Sequence, residues 1–330
     1  MHFIAVAALA FLCAQQPAPA PTPAPAPASQ EKPKVEKSAP YNEKADAKAE
    51  IAAAVARAAD NNRRVLVQWG GNWCGWCIKL HDLYRKDAAI RKELLYEYDV
   101  VYVDIGKGDK NQDLASLYGA NLKTGVPYLT VLDGEGKVLA NQETGVLESG
   151  DAHDPAKVLA FLTTNQAKYL KADDLLAAAQ ARAVAEKKLV FLTFDAPWCG
   201  WCHKLENWME TPQAKGLLAK DFVIRKIDID RTIGGKELKA KHCETESGIP
   251  WFCVLDGQGT NLGNSMFLVR KDGVEAQQNT GFPSTDEEIA AFATLLGKVA
   301  KNLTAEDIDK LKQSLVEVRE NDKKKQQKAS

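Results

Sequence analysis

An excess of charge of either sign is missing from this chain of 330 residues: 43 Lys and Arg stand against 44 Asp and Glu, a formal net charge of -1. That balance excludes binding driven by the phosphates of a nucleic acid, which needs a basic surplus. No apolar run reaches the roughly 18 residues that a membrane-crossing helix requires. Seven cysteines are too few to hold such a chain together by disulfides alone. They are also unnecessary, because at about 100–200 residues per domain the chain can build two hydrophobic cores. Proline is scarce outside one place, with eight of the fourteen between Pro17 and Pro40.

What is present begins with Phe3–Cys13, an almost unbroken apolar stretch that reads as a short export signal over residues 1–16. Leu12 stands before Cys13 where lipid-attachment signals place a small residue, which argues against lipidation. Alternating proline and alanine from Pro17 to Ala28, then the charged stretch Gln30–Lys37, read as a linker over residues 17–42. It has little to bury, and its prolines favour an extended geometry of about 3.1 Å per residue. The expectation is an exported protein, periplasmic or secreted, touching a membrane at most through this segment.

The remainder is organised by a repeat. Trp73-Cys74-Gly75-Trp76-Cys77 returns as Trp198-Cys199-Gly200-Trp201-Cys202, and Lys79-Leu80 as Lys204-Leu205. Downstream, Val103-Asp104-Ile105 matches Ile227-Asp228-Ile229, Gly125-Val126-Pro127 matches Gly248-Ile249-Pro250, and Val131–Gly134 matches Val254–Gly257. Two tandem domains follow, over 43–168 and 169–302, with a helical, charged tail over 303–330. Helical and strand patterns alternate in each, which predicts an α/β fold with a central mixed sheet flanked by helices. Gly134-Glu135-Gly136 and Gly257-Gln258-Gly259 predict hairpins. The second repeat takes about 13 more residues than the first to reach its Thr-Gly landmark (Thr280-Gly281, against Thr144-Gly145), expected to form a longer loop.

Each Cys-x-x-Cys stands where a strand ends and a helix begins. Unpaired N–H groups and the helix dipole lower the pKa of a cysteine at such a start and make it nucleophilic. Cys74 and Cys199 are therefore the candidate nucleophiles, and Cys77 and Cys202, three residues on, the groups that resolve a mixed disulfide. The rival readings are a zinc site and an inert structural disulfide. The two pairs are 125 residues apart in equivalent places, far outside zinc-site spacing. Trp73 and Trp198 read as packing residues that also shield the site. His203, which follows Cys202, reads as an exposed helix position.

With these residues in hand, both repeats resemble the thioredoxin-like family over roughly residues 60–165 and 185–300, on Trp-Cys-Gly-x-Cys and the Gly-Val/Ile-Pro that follows about 50 residues later. The resemblance implies that Pro127 and Pro250 are cis and sit against the cysteines, and that Val126 and Ile249 hold an extended substrate. It places Trp73, Trp76, Trp198 and Trp201 at the substrate surface. It implies thiol-disulfide exchange with protein disulfides or dithiols, an unidentified redox partner and no cofactor beyond the cysteines. Two departures matter. Thioredoxins carry a buried carboxylate six residues before the first cysteine, where this chain has Gln68 and Thr193, neither a proton acceptor for the resolving thiol. The dipeptide between the cysteines is Gly-Trp in both repeats, so reducing power and direction are not inherited. Lys226 matches a lysine near that site in thioredoxins, and Tyr102 stands there in the first repeat.

The second repeat alone contains Cys243 and Cys253, read as buried thiols by default and as a pair in an oxidising compartment. Thr304 and Asp307 open a tail helix whose Ile308, Leu311, Leu315 and Val318 form one apolar face, while Asn321–Ser330 is expected to fray. The function expected is an exported thiol-disulfide oxidoreductase with two Cys-x-x-Cys sites. The alternative is a redox-quiescent binding or assembly module.

Overall fold

The computed structural model describes residues 39–243, 247–271 and 273–329. The expected export signal and most of the expected proline-rich linker lie outside the described residues.

The first repeat opens with α1 (Ala47–Asp60), β1 (Arg64–Gly70), α2 (Gly75–Lys86), α3 (Ala88–Glu97) and β2 (Tyr98–Asp104). It continues through α4 (Gln112–Leu117), β3 (Tyr128–Leu132), β4 (Val138–Glu143), the two-residue strands β5 (Glu148–Ser149) and β6 (Ala152–His153), and α5 (Pro155–Asn165). The second repeat runs α6 (Ala172–Glu186), β7 (Leu189–Asp195), α7 (Gly200–Met209), α8 (Pro212–Leu218), β8 (Phe222–Asp228) and α9 (Gly235–His242). It closes with β9 (Trp251–Leu255), β10 (Asn261–Asn264), β11 (Met266–Lys271), β12 (Val274–Asn279), α10 (Asp286–Val299) and α11 (Ala305–Ala329).

The two main sheets have matching orders, β2-β1-β3-β4 and β8-β7-β9-β10. β1 runs parallel to β2 and antiparallel to β3, and β7 does the same with β8 and β9. This is the mixed sheet flanked by helices that the alternating pattern predicts. The central strands read as continuous apolar runs because helices cover both their faces. Ile51, Val67 and Trp69 face one side of the first sheet, and Leu66, Leu80 and Leu129 the other. The expected hairpins form, with Gly136 and Gly259 at φ 78° and 89°, a conformation glycine adopts without a Cβ clash.

Two expectations are corrected. The extra residues of the second repeat form a two-stranded ribbon, β11–β12, instead of a loop. Asn279 anchors it, donating to the carbonyls of Gly248 and Pro250 at 3.3 and 2.9 Å. The chain end stays helical through Ala329 instead of fraying from Asn321. Lys, Gln and Glu are good helix formers, and the Lys204–Asp322 ion pair at 2.7 Å ties this stretch to α7. The apolar face of α11 docks as expected, with Leu311 and Leu315 buried and Trp208 donating to Ser314 Oγ at 2.9 Å.

The repeats are joined through a buried ion pair. Arg231 donates to the two Glu97 carboxylate oxygens at 3.0 and 2.8 Å and to the carbonyls of Asn61 and Asn62 at 3.0 and 2.8 Å. The Tyr169 hydroxyl adds a bond to Glu97 at 2.8 Å. Such a pair is stable in a low-dielectric interior because its charges are matched and its donors occupied.

Candidate active site

The buried strand β1 ends at Gly70 and β7 at Asp195, and four residues later each chain turns into a helix whose N-cap is a cysteine. Cys74 Sγ accepts from the Cys77 N–H at 3.1 Å, and Cys199 Sγ from the Cys202 N–H at 3.1 Å. These are the helix-start contacts that stabilise a thiolate. Both pairs are closed as disulfides, Cys74–Cys77 and Cys199–Cys202, which sets aside a zinc site shared by the four sulfurs.

The Val126–Pro127 and Ile249–Pro250 peptide bonds are cis. Cys74 Sγ lies 3.5 Å from the Val126 carbonyl oxygen and Cys199 Sγ 3.6 Å from that of Ile249. The structure thus brings each first cysteine to the residue before its proline. Val126 and Ile249 remain half-buried, while Pro127 and Pro250 are buried.

The tryptophans depart from the packing reading. Trp73, Trp198 and Trp201 are 53%, 56% and 53% exposed. Trp73 donates to the Gly106 carbonyl and Trp198 to Asp230 Oδ2, so each indole is held by its polar edge while its face meets solvent. Trp76 is half-buried against His153 with Lys79 over its ring, and Trp201 stacks on Phe282 with Lys204 over its ring. His203 is exposed, as expected, with Nε2 2.8 Å from the Pro197 carbonyl oxygen.

Beneath the cysteines the two sites differ in chemistry. Under Cys77 the surroundings are uncharged apart from Asp104, which is paired with Lys110 at 3.2 Å. Gln68 is fully buried and donates to the Tyr41 hydroxyl at 2.7 Å and to the Cys77 carbonyl at 3.3 Å. Tyr41, from the segment read as linker, is itself buried, pinned by Asn72 through its own N–H and carbonyl at 3.1 and 2.8 Å. Burial pushes its phenol well above the ordinary value. Tyr102 stands edge-on to Tyr41, with its hydroxyl 3.0 Å from His81 Nδ1, and burial pushes its own phenol up to about 12. Gly70 makes room for this plug: a Cβ there would meet Cys77 Sγ at 2.5 Å and the Tyr41 hydroxyl at 2.6 Å. Gly70→Ala is therefore expected to cost about 1–3 kcal/mol of overpacking strain. Urea unfolding checks this, and the variant should also release Tyr41 from the site.

Under Cys202 the surroundings are charged. Asp195 takes the strand-end position that Gly70 holds in the first repeat, opposite Asp228 in register as Gly70 is opposite Asp104. It lines a cavity of about 110 Å³ with Cys202, His203, Glu206 and Lys226. Burial raises its carboxyl to about 7 against the opposing pull of Lys226, with Asp228 and Glu206 adding to the rise. Lys226 also pairs with Glu206, which holds that carboxyl below its ordinary value although burial acts the other way. Asp195 and Tyr41 are the residues that motif reading missed. The signal for Asp195 was a lone acid closing an otherwise apolar run just before the motif.

Cys253 lies fully buried in the second core, its thiol pushed up to about 12 by burial with Cys243 adding to the rise. Among the described residues no group of three or more His, Cys, Asp or Glu gathers as a metal site. Among them also, no helix is long and apolar enough to cross a membrane.

A family profile described as thioredoxin-like matches residues 46–134 and 171–257, more than half of the chain. The chain belongs to the thioredoxin-like family. The thioredoxin-like repeats are similar to the protein disulfide-isomerase tigA of Aspergillus niger, 26% identical over 53% of this chain and 47% of that protein. They are similar also to the disulfide bond reductase DsbH of Chlamydia pneumoniae, 32% identical over 28% of this chain and 58% of that protein. A solved disulphide isomerase from Xylella fastidiosa Temecula1 is 26% identical over 38% of this chain and 95% of its own, with a TM-score of 0.35. The chain spans about half to two thirds of the length of the curated relatives it matches.

Proposed function

We propose that this protein is an exported thiol-disulfide oxidoreductase that exchanges disulfides with protein substrates at two sites. The observation that carries the reading is the same at both: a cysteine pair at a helix start, facing a cis-proline loop. The apolar Phe3–Cys13 stretch supports export. Relatives named as an isomerase and as a reductase support the reaction class and leave its direction open.

In the oxidising direction, a substrate thiolate attacks the sulfur of Cys74 or Cys199. The internal disulfide breaks, and Cys77 or Cys202 leaves as a thiolate and takes up a proton. A second substrate thiolate then attacks the substrate's own sulfur in the mixed disulfide and expels Cys74 or Cys199. Two electrons pass from substrate to enzyme. The reducing direction is the reverse, with Cys74 or Cys199 attacking and Cys77 or Cys202 resolving. Val126, Pro127, Ile249 and Pro250 form the ledge for an extended substrate, and the exposed Trp73, Trp198 and Trp201 with the half-buried Trp76 flank it.

At the second site, Asp195 is the group that gives a proton to the leaving Cys202 and takes it back on reclosure. Below about pH 7 it holds that proton, so opening of Cys199–Cys202 by a thiol, relative to opening of Cys74–Cys77, should slow as pH rises through this value. Asp195→Asn should remove the inflection and lower the rate by about 10²-fold, the low end for loss of a general acid. Stability falls with rising pH as well. Between the ordinary carboxyl value of 3.8 and about 7 the folded chain keeps a proton that the unfolded chain has lost, so Asp195 destabilises the fold progressively as pH rises through that window. The Asn variant should accordingly melt higher than wild type at pH 8.

The test of the function is a glutathione titration of the full chain, with each pair read by alkylation and mass spectrometry. A reversible couple at both pairs is expected. A midpoint near about -270 mV would mark a reductase, and one at about -120 to -180 mV an oxidase or isomerase. No reversible couple at either pair would leave the binding-module reading standing.

A further inference from the structure

The cavity beneath Cys202 is walled by both repeats. One side carries Asp195, Cys202, Glu206 and Lys226, and the other is Ala59 to Arg63, the end of α1 and the turn that joins it to β1. Asn61 Oδ1 accepts from Lys226 Nζ at 2.7 Å, so the amine that pairs with Glu206 is also held from across the interface. A second contact lies at the motif itself. Asp230 Oδ2 accepts from the Trp198 indole at 2.8 Å and from the Tyr96 hydroxyl of α3 at 3.2 Å. The buried ion pair fixes both contacts, because Arg231 binds the Asn61 and Asn62 carbonyls and Glu97 directly follows Tyr96.

We propose that the first repeat is a working part of the second site: its α1–β1 turn closes the proton-accepting cavity, and Asn61 tunes the reactivity of Cys199–Cys202 from the other domain. The proposal rests on the role given above to Asp195. The turn packs over the cavity beside the half-buried carboxyl, and burial is the condition that favours the protonated form. Asn61 holds the Lys226 ammonium with a neutral oxygen and adds no charge of its own. The charged groups facing Asp195 from its own repeat are Lys226 and Asp228 on β8 and Glu206 and His203 on α7. Asp60 and Arg63 line the cavity from the first repeat, and Arg225 and Arg231 from the second. In so crowded a field one added charge is felt. The first site is closed differently, by Tyr41 from the segment leading into its own repeat. The molecule is therefore asymmetric, with Cys74–Cys77 plugged from within and Cys199–Cys202 completed by its neighbour. Asn61 acts as a positioning residue and does not touch the reacting sulfurs.

The test uses charge of both signs at one position. Asn61 is half-exposed and caps α1 at an ordinary φ of -103°, so Asp and Lys can both stand there. In the full chain, reduction of Cys199–Cys202 by dithiothreitol is followed against pH by alkylation and mass spectrometry, normalised to Cys74–Cys77 in the same sample. Asn61→Asp should move the inflection near pH 7 upward and Asn61→Lys downward, each by about 0.5–1 unit. Opposite shifts are the signature of a field, since loosening of the interface would move both variants the same way. Two variants at the wild-type value, or both displaced in one direction, would overturn the proposal and leave the Asp195 reading intact. A wild-type profile without an inflection, or an inflection that survives in Asp195→Asn, would overturn the Asp195 reading and the proposal with it.

Discussion

With Cys74 and Cys199 both replaced by serine, disulfide exchange by the full chain should fall at least about 10³-fold, the scale on which loss of an essential nucleophile is felt. With only one replaced, exchange should continue at the other site. The expectation follows from position. Each of these sulfurs caps a helix and accepts the N–H of the residue three positions on, so it alone combines a stabilised thiolate with a place beside the cis-proline loop. Serine keeps the cap, because its oxygen accepts the same N–H, and removes the sulfur chemistry. The measurement is turnover of a fluorescent disulfide-linked peptide with dithiothreitol as electron donor. Exchange retained by the double variant would move the chemistry to another thiol and refute the assignment.

The second large effect is structural. Arg231→Leu should destabilise the protein by about 3–5 kcal/mol, because it strands the Glu97 carboxylate in the interface, where the Tyr169 hydroxyl still donates to it but its ion-pair partner is gone. The loss reflects an uncompensated buried charge rather than the worth of the pair. Replacing both residues, Glu97→Leu with Arg231→Leu, should therefore recover most of it. Urea unfolding of the three variants checks the cycle. A single substitution costing under about 1 kcal/mol would place this ion pair among weak surface bridges and deny it the role of joining the repeats.

The repeat architecture, the cysteine pairs and the proline loops were legible because each is local: a few adjacent residues carry the strand end, the helix cap or the turn. The hairpin glycines were legible for the same reason. Tyr41 was not. It reaches Cys77 from a stretch whose composition speaks only of a linker, and its partners Gln68 and Asn72 lie 27 and 31 residues away. Asp195 escaped because the carboxylate was sought six residues before Cys199, at Thr193, and stands four before it. The tryptophans misled because size alone suggests burial, whereas Trp73 and Trp198 are fixed by their N–H groups and left open. Contacts between domains, such as Asn61 with Lys226, have no trace in a pattern that treats the repeats as copies.

Two identical Trp-Cys-Gly-Trp-Cys motifs thus sit on different floors, one built of Gln68, Tyr41, Tyr102 and His81, the other of Asp195, Glu206 and Lys226. This difference is the centre of the account, and the rate of opening of the two disulfides by one thiol, measured side by side from pH 5 to 9, tests it most directly. The ratio of Cys199–Cys202 to Cys74–Cys77 should step down near pH 7, where Asp195 gives up its proton. A ratio flat across the whole range would contradict the account, since it would mean that the floor beneath each cysteine pair has no hand in its chemistry.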